Sequence, residues 1–260
     1  MRAIFMGKSK RCAVQALEHL VERGWEIPAV VAPAPDPSAA AAQRLDQAAE
    51  RHGLRLATDD DLYAEIGSLG EVDLVISFLY WKRIRLPLIE LPRLGCINFH
   101  PAPLPDLRGV GGYNVAILER WRRWGVSAHQ VDEQFDTGDL VQVDRFEIDP
   151  DSETALSLAL RSQERLVETF RTVADRALGD EELPRAPQGP GRYVSRVELE
   201  QLRRVRPDDT PELLDRRIRA FWHPPYDGAT IEVAGRVVTL VDGALLEQTA
   251  AAYRDAGIFP

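Results

Sequence analysis

The stretch CINFHPAPLPDLRGVGGYN, residues 96–114, holds the side chains best suited to chemistry. A short apolar run carries Asn98 and His100 two positions apart and then meets Pro101, Pro103 and Pro105. In an extended chain alternate side chains share a face, so an amide donor and an imidazole base point the same way. A lone loop histidine ordinarily just satisfies a backbone carbonyl. Here the prolines restrict the segment, and a stiff support is what a pre-organised site needs. Arg108 with Gly109, Gly111 and Gly112 gives the segment a flexible end that a ligand or a helix start can approach closely.

An imidazole that handles protons wants a carboxylate to orient it and to stabilise its charged form. Downstream, GVSAHQVDEQFDTGDLVQVDRFEI offers Asp132, Glu133, Asp136 and Asp139 in one polar loop. The tight DTG turn at 136–138 favours Asp136, although periodicity does not settle the choice.

These residues need a scaffold. AIFM, IPAVVA, VDLVISFL and GCINF are nearly unalternated apolar runs, the pattern of parallel strands covered on both faces. Between them CAVQALEHLVERG and AAAQRLDQAAERHG carry helical periodicity and end on Gly24 and Gly53. The expected fold class is α/β, a doubly wound, mostly parallel sheet with a small C-terminal α+β unit. Ligands of such sheets sit beyond the carboxyl ends of the strands, where Asn98 and His100 fall. The residues around DTGD should form a strand pair, followed by a long helix that starts near Asp151 or Ser152 and runs to about Leu178. Its stripe is read as Leu156, Leu160, Val167, Phe170 and Ala174.

Proline, glycine and charge gather in GDEELPRAPQGPG, which reads as a linker. The expected division is a catalytic domain over 1–180, a linker over 181–204 and a small subdomain over 205–260. In that subdomain TPELLDRRIRAF reads as a helix capped by Thr210, and GATIEVAGRVVTLVDGALLE as a hairpin turning at Ala234 and Gly235. The hairpin either covers the main domain or offers a face for a homodimer.

Bulk properties narrow the function. The 260 residues can bury a core unaided, and the two cysteines, Cys12 and Cys96, sit in no metal or disulfide motif. No metal site is expected. MRAIFMGKSKRC is too short in apolar residues for a signal peptide and no segment is long and apolar enough to span a bilayer, so a cytoplasmic location is expected. A net charge of −9 disfavours nucleic acid and membrane partners and favours small molecules.

Taken together, NFHPAPLPDLRGVGGYN and the later GVSAHQVDEQFDTGDLV resemble the formyltransferases that use N10-formyltetrahydrofolate. That family has an Asn-x-His, a proline-rich loop ending in Arg-Gly, and an Asp in a later Asp-x-Gly turn. The resemblance covers about residues 1–180, is sharp from 95 to 142, and implies a Rossmann-like fold with Asn98, His100 and Asp136 as the catalytic set. HPAPLPDLRGVGGYN and RAFWHPPYDGA look most like the sugar N-formyltransferases, which formylate an amino group on a nucleotide-linked amino sugar.

The resemblance also implies a folate site built from FLYWKR and the loop that begins at Val131. Its residues are Leu79, Tyr80, Trp81, Lys82, Val131, Asp132 and Gln134. A nucleotide acceptor needs cations for its phosphates and an aromatic ring to stack on. Lys8, Lys10, Arg11, Arg108, Gly111, Gly112, Tyr113, Trp222 and Tyr226 are the available residues.

Rival functions are weaker. Methionyl-tRNA formylation calls for a basic appended domain, yet residues 205–260 hold six Lys or Arg against nine Asp or Glu. Glycinamide ribonucleotide enzymes typically lack such a C-terminal unit. A nicotinamide oxidoreductase would need G-x-G-x-x-G after the first strand, where FMGKSKRCA has one glycine. An inactive folate- or nucleotide-binding module stays open as an alternative, although the presence of all three matched polar positions argues against it.

Overall fold

The apolar runs fold as parallel strands in the computed structural model, which describes residues 1–36, 40–179 and 181–255. Residue 180 and residues 256–260, which close the expected catalytic domain and C-terminal subdomain, lie outside the described residues. In chain order the first part comprises β1 (Ala3–Gly7), α1 (Arg11–Glu22), β2 (Val30–Val31), α2 (Leu45–Arg51), α3 (Asp59–Ala64), β3 (Leu74–Phe78), α4 (Leu86–Glu90) and β4 (Gly95–His100). The middle comprises β5 (Leu107–Gly109), α5 (Gly112–Leu118), β6 (Arg123–Gln130), β7 (Leu140–Glu147) and α6 (Ala155–Leu178). After these come β8 (Arg192–Val194), α7 (Arg196–Arg203), α8 (Pro211–Phe221), β9 (Thr230–Val233), β10 (Arg236–Thr239) and α9 (Gly243–Asp255).

The main sheet runs β2-β1-β3-β4-β6-β7, parallel through β4 and antiparallel where β6 joins it. Strand alternation divides its side chains between two apolar layers. Phe5, Ile76, Phe78, Ile97, Phe99, Val126 and Ala128 enter one core, which α6 closes with Phe170. The Phe170 ring stands edge-on to Phe78 and Phe99 at 5.6 and 5.0 Å between centroids. Ile4, Met6, Val31, Val75 and Cys96 enter the other. Ser77, Asn98, His100, Ser127 and His129 fall, by the same alternation, on this second side at the carboxyl ends of β3 and β4. The sheet therefore changes from apolar to polar along one face.

The long helix starts later than its sequence suggested. Asp149 takes hydrogen bonds from the Asp151 N–H and the Ser152 hydroxyl. The cap is Thr154, whose Oγ1 accepts from Ser157 N while Ser157 Oγ accepts from Thr154 N. Its buried stripe is correspondingly Leu158, Ala159, Leu166, Val167, Phe170 and Ala174, and Leu160 is 53% exposed.

Packing divides the chain into two compact units. One is residues 1–109, 125–146 and 161–193; the other is 110–124, 147–160 and 194–260. A boundary near 180, read from proline content, therefore differs from the packing, because α5 lies against α8 inside the second unit. Asn114 Nδ2 donates to the Ala220 carbonyl there, and Leu156 N donates to the Trp222 carbonyl. The expected linker also carries β8 and α7. Thr210 caps α8 as expected, its hydroxyl accepting from Leu213 N. The β9–β10 turn places Ala234 and Gly235 at φ 51° and 73°, and Val237 on this hairpin is 73% exposed. The end of the hairpin sequence goes instead into α9.

Candidate active site

Asn98 reaches the polar end of the sheet with its amide orientation fixed. From the neighbouring position on β3, Ser77 Oγ donates to Asn98 Oδ1 at 2.7 Å. Across the β4–β6 ladder, Asn98 Nδ2 lies 3.0 Å from His129 Nε2. His129 Nδ1 lies 2.7 Å from the Gln130 carbonyl, which can only accept, so the ring proton sits on Nδ1. Neutral His129 then accepts at Nε2 from the Asn98 amide. One Asn98 N–H remains to donate elsewhere.

His100 is 9% exposed, and its Nδ1 stands 3.5 Å from Asp136 Oδ1. The carboxylate favours the tautomer with a proton on Nδ1, leaving Nε2 a lone pair. That Nε2 is buried and has no hydrogen-bond partner among the described residues. Burial lowers the His100 pKa below its ordinary 6.5, while Asp136 and the Leu107 backbone oppose it. The result is a neutral imidazole at pH 7, competent as a base.

Burial works against charge on Asp136, but His100 and the Gly109 N–H outweigh it and hold the carboxyl well below the usual carboxylate range. Gly109 N donates to Asp136 Oδ2 at 3.0 Å. Asp136 has φ 60°, a left-handed conformation that Asp tolerates. In the same turn Asp132 accepts from Gln134 N at 3.0 Å and from Thr137 Oγ1 at 2.7 Å. A Cβ at Gly138 would lie 2.0 Å from the Gln130 carbonyl oxygen, so only glycine fits. On the opposite flank Ser127 Oγ donates to the Ala102 carbonyl and accepts from Leu104 N, fastening the proline-bound loop to β6.

Beside this group lies a cavity of about 70 Å3, lined among others by Asn98, His129, Ile84 and Asp136. Of the residues expected to hold folate, Tyr80, Lys82, Val131, Asp132 and Gln134 line it, whereas Leu79 and Trp81 do not. Leu79 turns the chain at φ 55°, a conformation that costs a Leu about 1–3 kcal/mol. Trp81 is 41% exposed, its ring 4.8 Å from that of Tyr80. Lys82 pairs with Asp59 at 2.8 Å, and the Arg83 guanidinium donates to the Glu133 carbonyl.

The residues expected at the acceptor are divided between the two units. Lys8, Lys10 and Arg11 lie between β1 and α1, where Lys10 provides no side-chain cap. Arg108 is engaged: its Nη2 donates to Gln188 Oε1 and to the Gly189 carbonyl, each at 2.9 Å. Gly111 (φ 70°), Gly112 and Tyr113 form the start of α5 in the second unit, with Tyr113 5.8 Å from the Trp124 ring. Trp222 ends α8, and Tyr226, also in that unit, is exposed against His223.

Ser77, His129 and Gln188 were not singled out from the sequence. The first two carry a usable signal: once β4 and β6 are paired, the register that sets Asn98 beside Ser77 also sets it opposite His129. Gln188 carries none, since it stands in a proline-rich stretch without periodicity.

Residues 1–173 match the family model described as formyl transferase. A methionyl-tRNA formyltransferase from Pelotomaculum thermopropionicum is 28% identical over 270 residues, covering 98% of this chain and 82% of that protein. A GDP-perosamine N-formyltransferase from Brucella melitensis is 29% identical over 182 residues, covering 70% and 69%. The crystal structure of an N-formyltransferase from Helicobacter canadensis, in complex with folinic acid and dTDP-3-aminofucose, superposes with a TM-score of 0.75 at 19% identity, covering 90% and 85%.

Proposed function

Because the chain belongs to the formyl transferase family, we propose that it carries a formyl group from N10-formyltetrahydrofolate to the primary amine of a nucleotide-linked amino sugar. The observation that supports this most is one polar face holding an amide with a free N–H, Asn98, beside a buried neutral imidazole with an open Nε2, His100. The donor supplies an activated formyl carbon, and the lining beside Asn98 has the mixed character its head group needs: Tyr80, Val131 and Ile84 give apolar wall, Asp132 and Gln134 polar edge.

In this reading the acceptor amine attacks the formyl carbon, a C–N bond forms, and the bond to N10 breaks. His100 takes the amine proton at Nε2 and returns one to the departing nitrogen. Asn98 donates to the formyl oxygen as it gains charge; one such donor contributes about 3 kcal/mol. Asp136 holds the His100 ring and offsets its charge while the proton is in transit. Ser77 and His129 keep the Asn98 amide from turning over.

An amino-sugar acceptor is supported by the likeness to the Brucella enzyme and by the acidic residues 205–260, which repel a polyanion such as tRNA. The similarity to methionyl-tRNA formyltransferases over nearly the whole chain supports a second reading, with the aminoacyl amine as acceptor. A thermal-shift panel of nucleotide-linked amino sugars against the folate-loaded protein separates them, since a bound acceptor raises the midpoint by mass action. No shift with any sugar, together with formylation of methionyl-tRNA, overturns the sugar reading.

A further inference from the structure

Gln188 is distant in sequence from both halves of the site, yet it joins them. Its Nε2 donates to the Asp136 carbonyl at 3.2 Å and to the Gly138 carbonyl at 2.6 Å. Its Oε1 accepts from Arg108 Nε at 3.3 Å and Nη2 at 2.9 Å. The residue after Arg108 is Gly109, whose N–H reaches the Asp136 carboxylate itself. Two adjacent residues thus grip Asp136 by two routes, one direct and one through the Gln188 amide.

Asp136 needs that grip. It sits at φ 60° in a turn that Asp132 ties to Gln134 and Thr137, and those bonds leave the Asp136 and Gly138 carbonyls to be met from outside the turn. A primary amide is the side chain suited to the task, since it offers two N–H donors to the carbonyls and an oxygen acceptor to a guanidinium. A 3.5 Å separation between Asp136 and His100 also leaves little slack, because small displacements of an orienting group cost rate steeply.

We infer that Gln188 is a positioning residue for formyl transfer, holding the Asp136 turn so that its carboxylate stays against His100, and that Arg108 acts by fixing Gln188 rather than by binding acceptor phosphate. This rests on the reading of His100 and Asp136 as the working pair. A purely structural Gln188 would affect melting temperature and leave the His100 environment unchanged.

The test is an NMR titration of the His100 imidazole in the full chain, assigned with His100→Asn. It is run on the wild type and on Gln188→Ala, Gln188→Met and Asp136→Asn, with thermal melting alongside. The titratable groups facing His100 are Asp136 and His129; Asp136, with the Leu107 backbone, raises its pKa. Asp136→Asn is expected to move the titration to lower pH. Gln188→Ala is expected to move it in the same direction by a smaller amount. Gln188→Met keeps the volume without the hydrogen bonds and should follow Gln188→Ala, providing a folded variant if alanine destabilises. A shift for Asp136→Asn with none for either Gln188 variant overturns this inference and leaves the pair standing. No shift for Asp136→Asn overturns the pair itself.

Discussion

Asn98 and His129 face one another across the β4–β6 ladder, and the 3.0 Å contact between Nδ2 and Nε2 decides which end of the amide is presented to the site. His129 is itself fixed by the Gln130 carbonyl, and Ser77 holds the other end of the amide. A chain of neutral groups, each with a single compatible proton arrangement, thereby aims one N–H.

That arrangement makes Asn98→Ala costly in a specific way. Loss of one oxyanion donor should lower kcat by about a hundredfold or more. Donor KM should change little, because the ground-state carbonyl carries less charge than the transition state. Steady-state kinetics with varied donor checks this; a large rise in donor KM at unchanged kcat would assign Asn98 to binding alone.

Ser77→Ala removes the bond to Asn98 Oδ1 but leaves His129 in place. Turnover should fall by about tenfold, less than for Asn98→Ala, because the amide keeps one of its two anchors. The comparison is made on the two purified variants at saturating donor.

The pH profile follows from His100. Burial sets its pKa below the ordinary 6.5, so the acid limb of kcat/KM should lie below 6.5. Replacing Asp136 with Asn removes the neighbouring charge that raises this pKa, so the limb moves to still lower pH while the rate at pH 7 drops at least a hundredfold. A limb that moved upward would contradict the pairing.

Stability should carry the same signature. The unfolded chain protonates this histidine at its ordinary 6.5, but the folded protein resists the proton until its lower pKa is reached. Stability is therefore lost as pH falls from 6.5 toward the folded-state pKa, with a slope of up to about 1.4 kcal/mol per pH unit. Asp136 has the opposite kind of linkage to charge and adds its own loss only as pH falls below 3.8. Denaturant melts between pH 7.5 and 5 should show a shallower decline for His100→Asn than for the wild type.

Much of this was legible in the sequence because strand alternation is strict. Asn98 and His100 share a face as a period of two requires, and the apolar runs became β1 to β4. Asp136 was legible through its turn, since Asp-x-Gly marks a tight, left-handed position. The acceptor side was not legible in the same way. Arg108 has the chemistry of a phosphate ligand, and its engagement with Gln188 depends on a contact across 80 residues that no local pattern records. The start of α6 shifted for a local reason: Asp149, Ser152 and Thr154 all have capping chemistry, and Thr154 wins because Ser157 can return its hydrogen bond.

Formyl transfer is read out by incubating the protein with N10-formyltetrahydrofolate and, separately, dTDP-, UDP- and GDP-linked amino sugars and methionyl-tRNA, and following each acceptor by mass spectrometry. One nucleotide-linked amino sugar is expected to gain a single formyl group, His100→Asn to reduce this at least a hundredfold, and methionyl-tRNA to stay unmodified. Formylation of methionyl-tRNA with every sugar left unchanged, or full activity in His100→Asn, would contradict this reading.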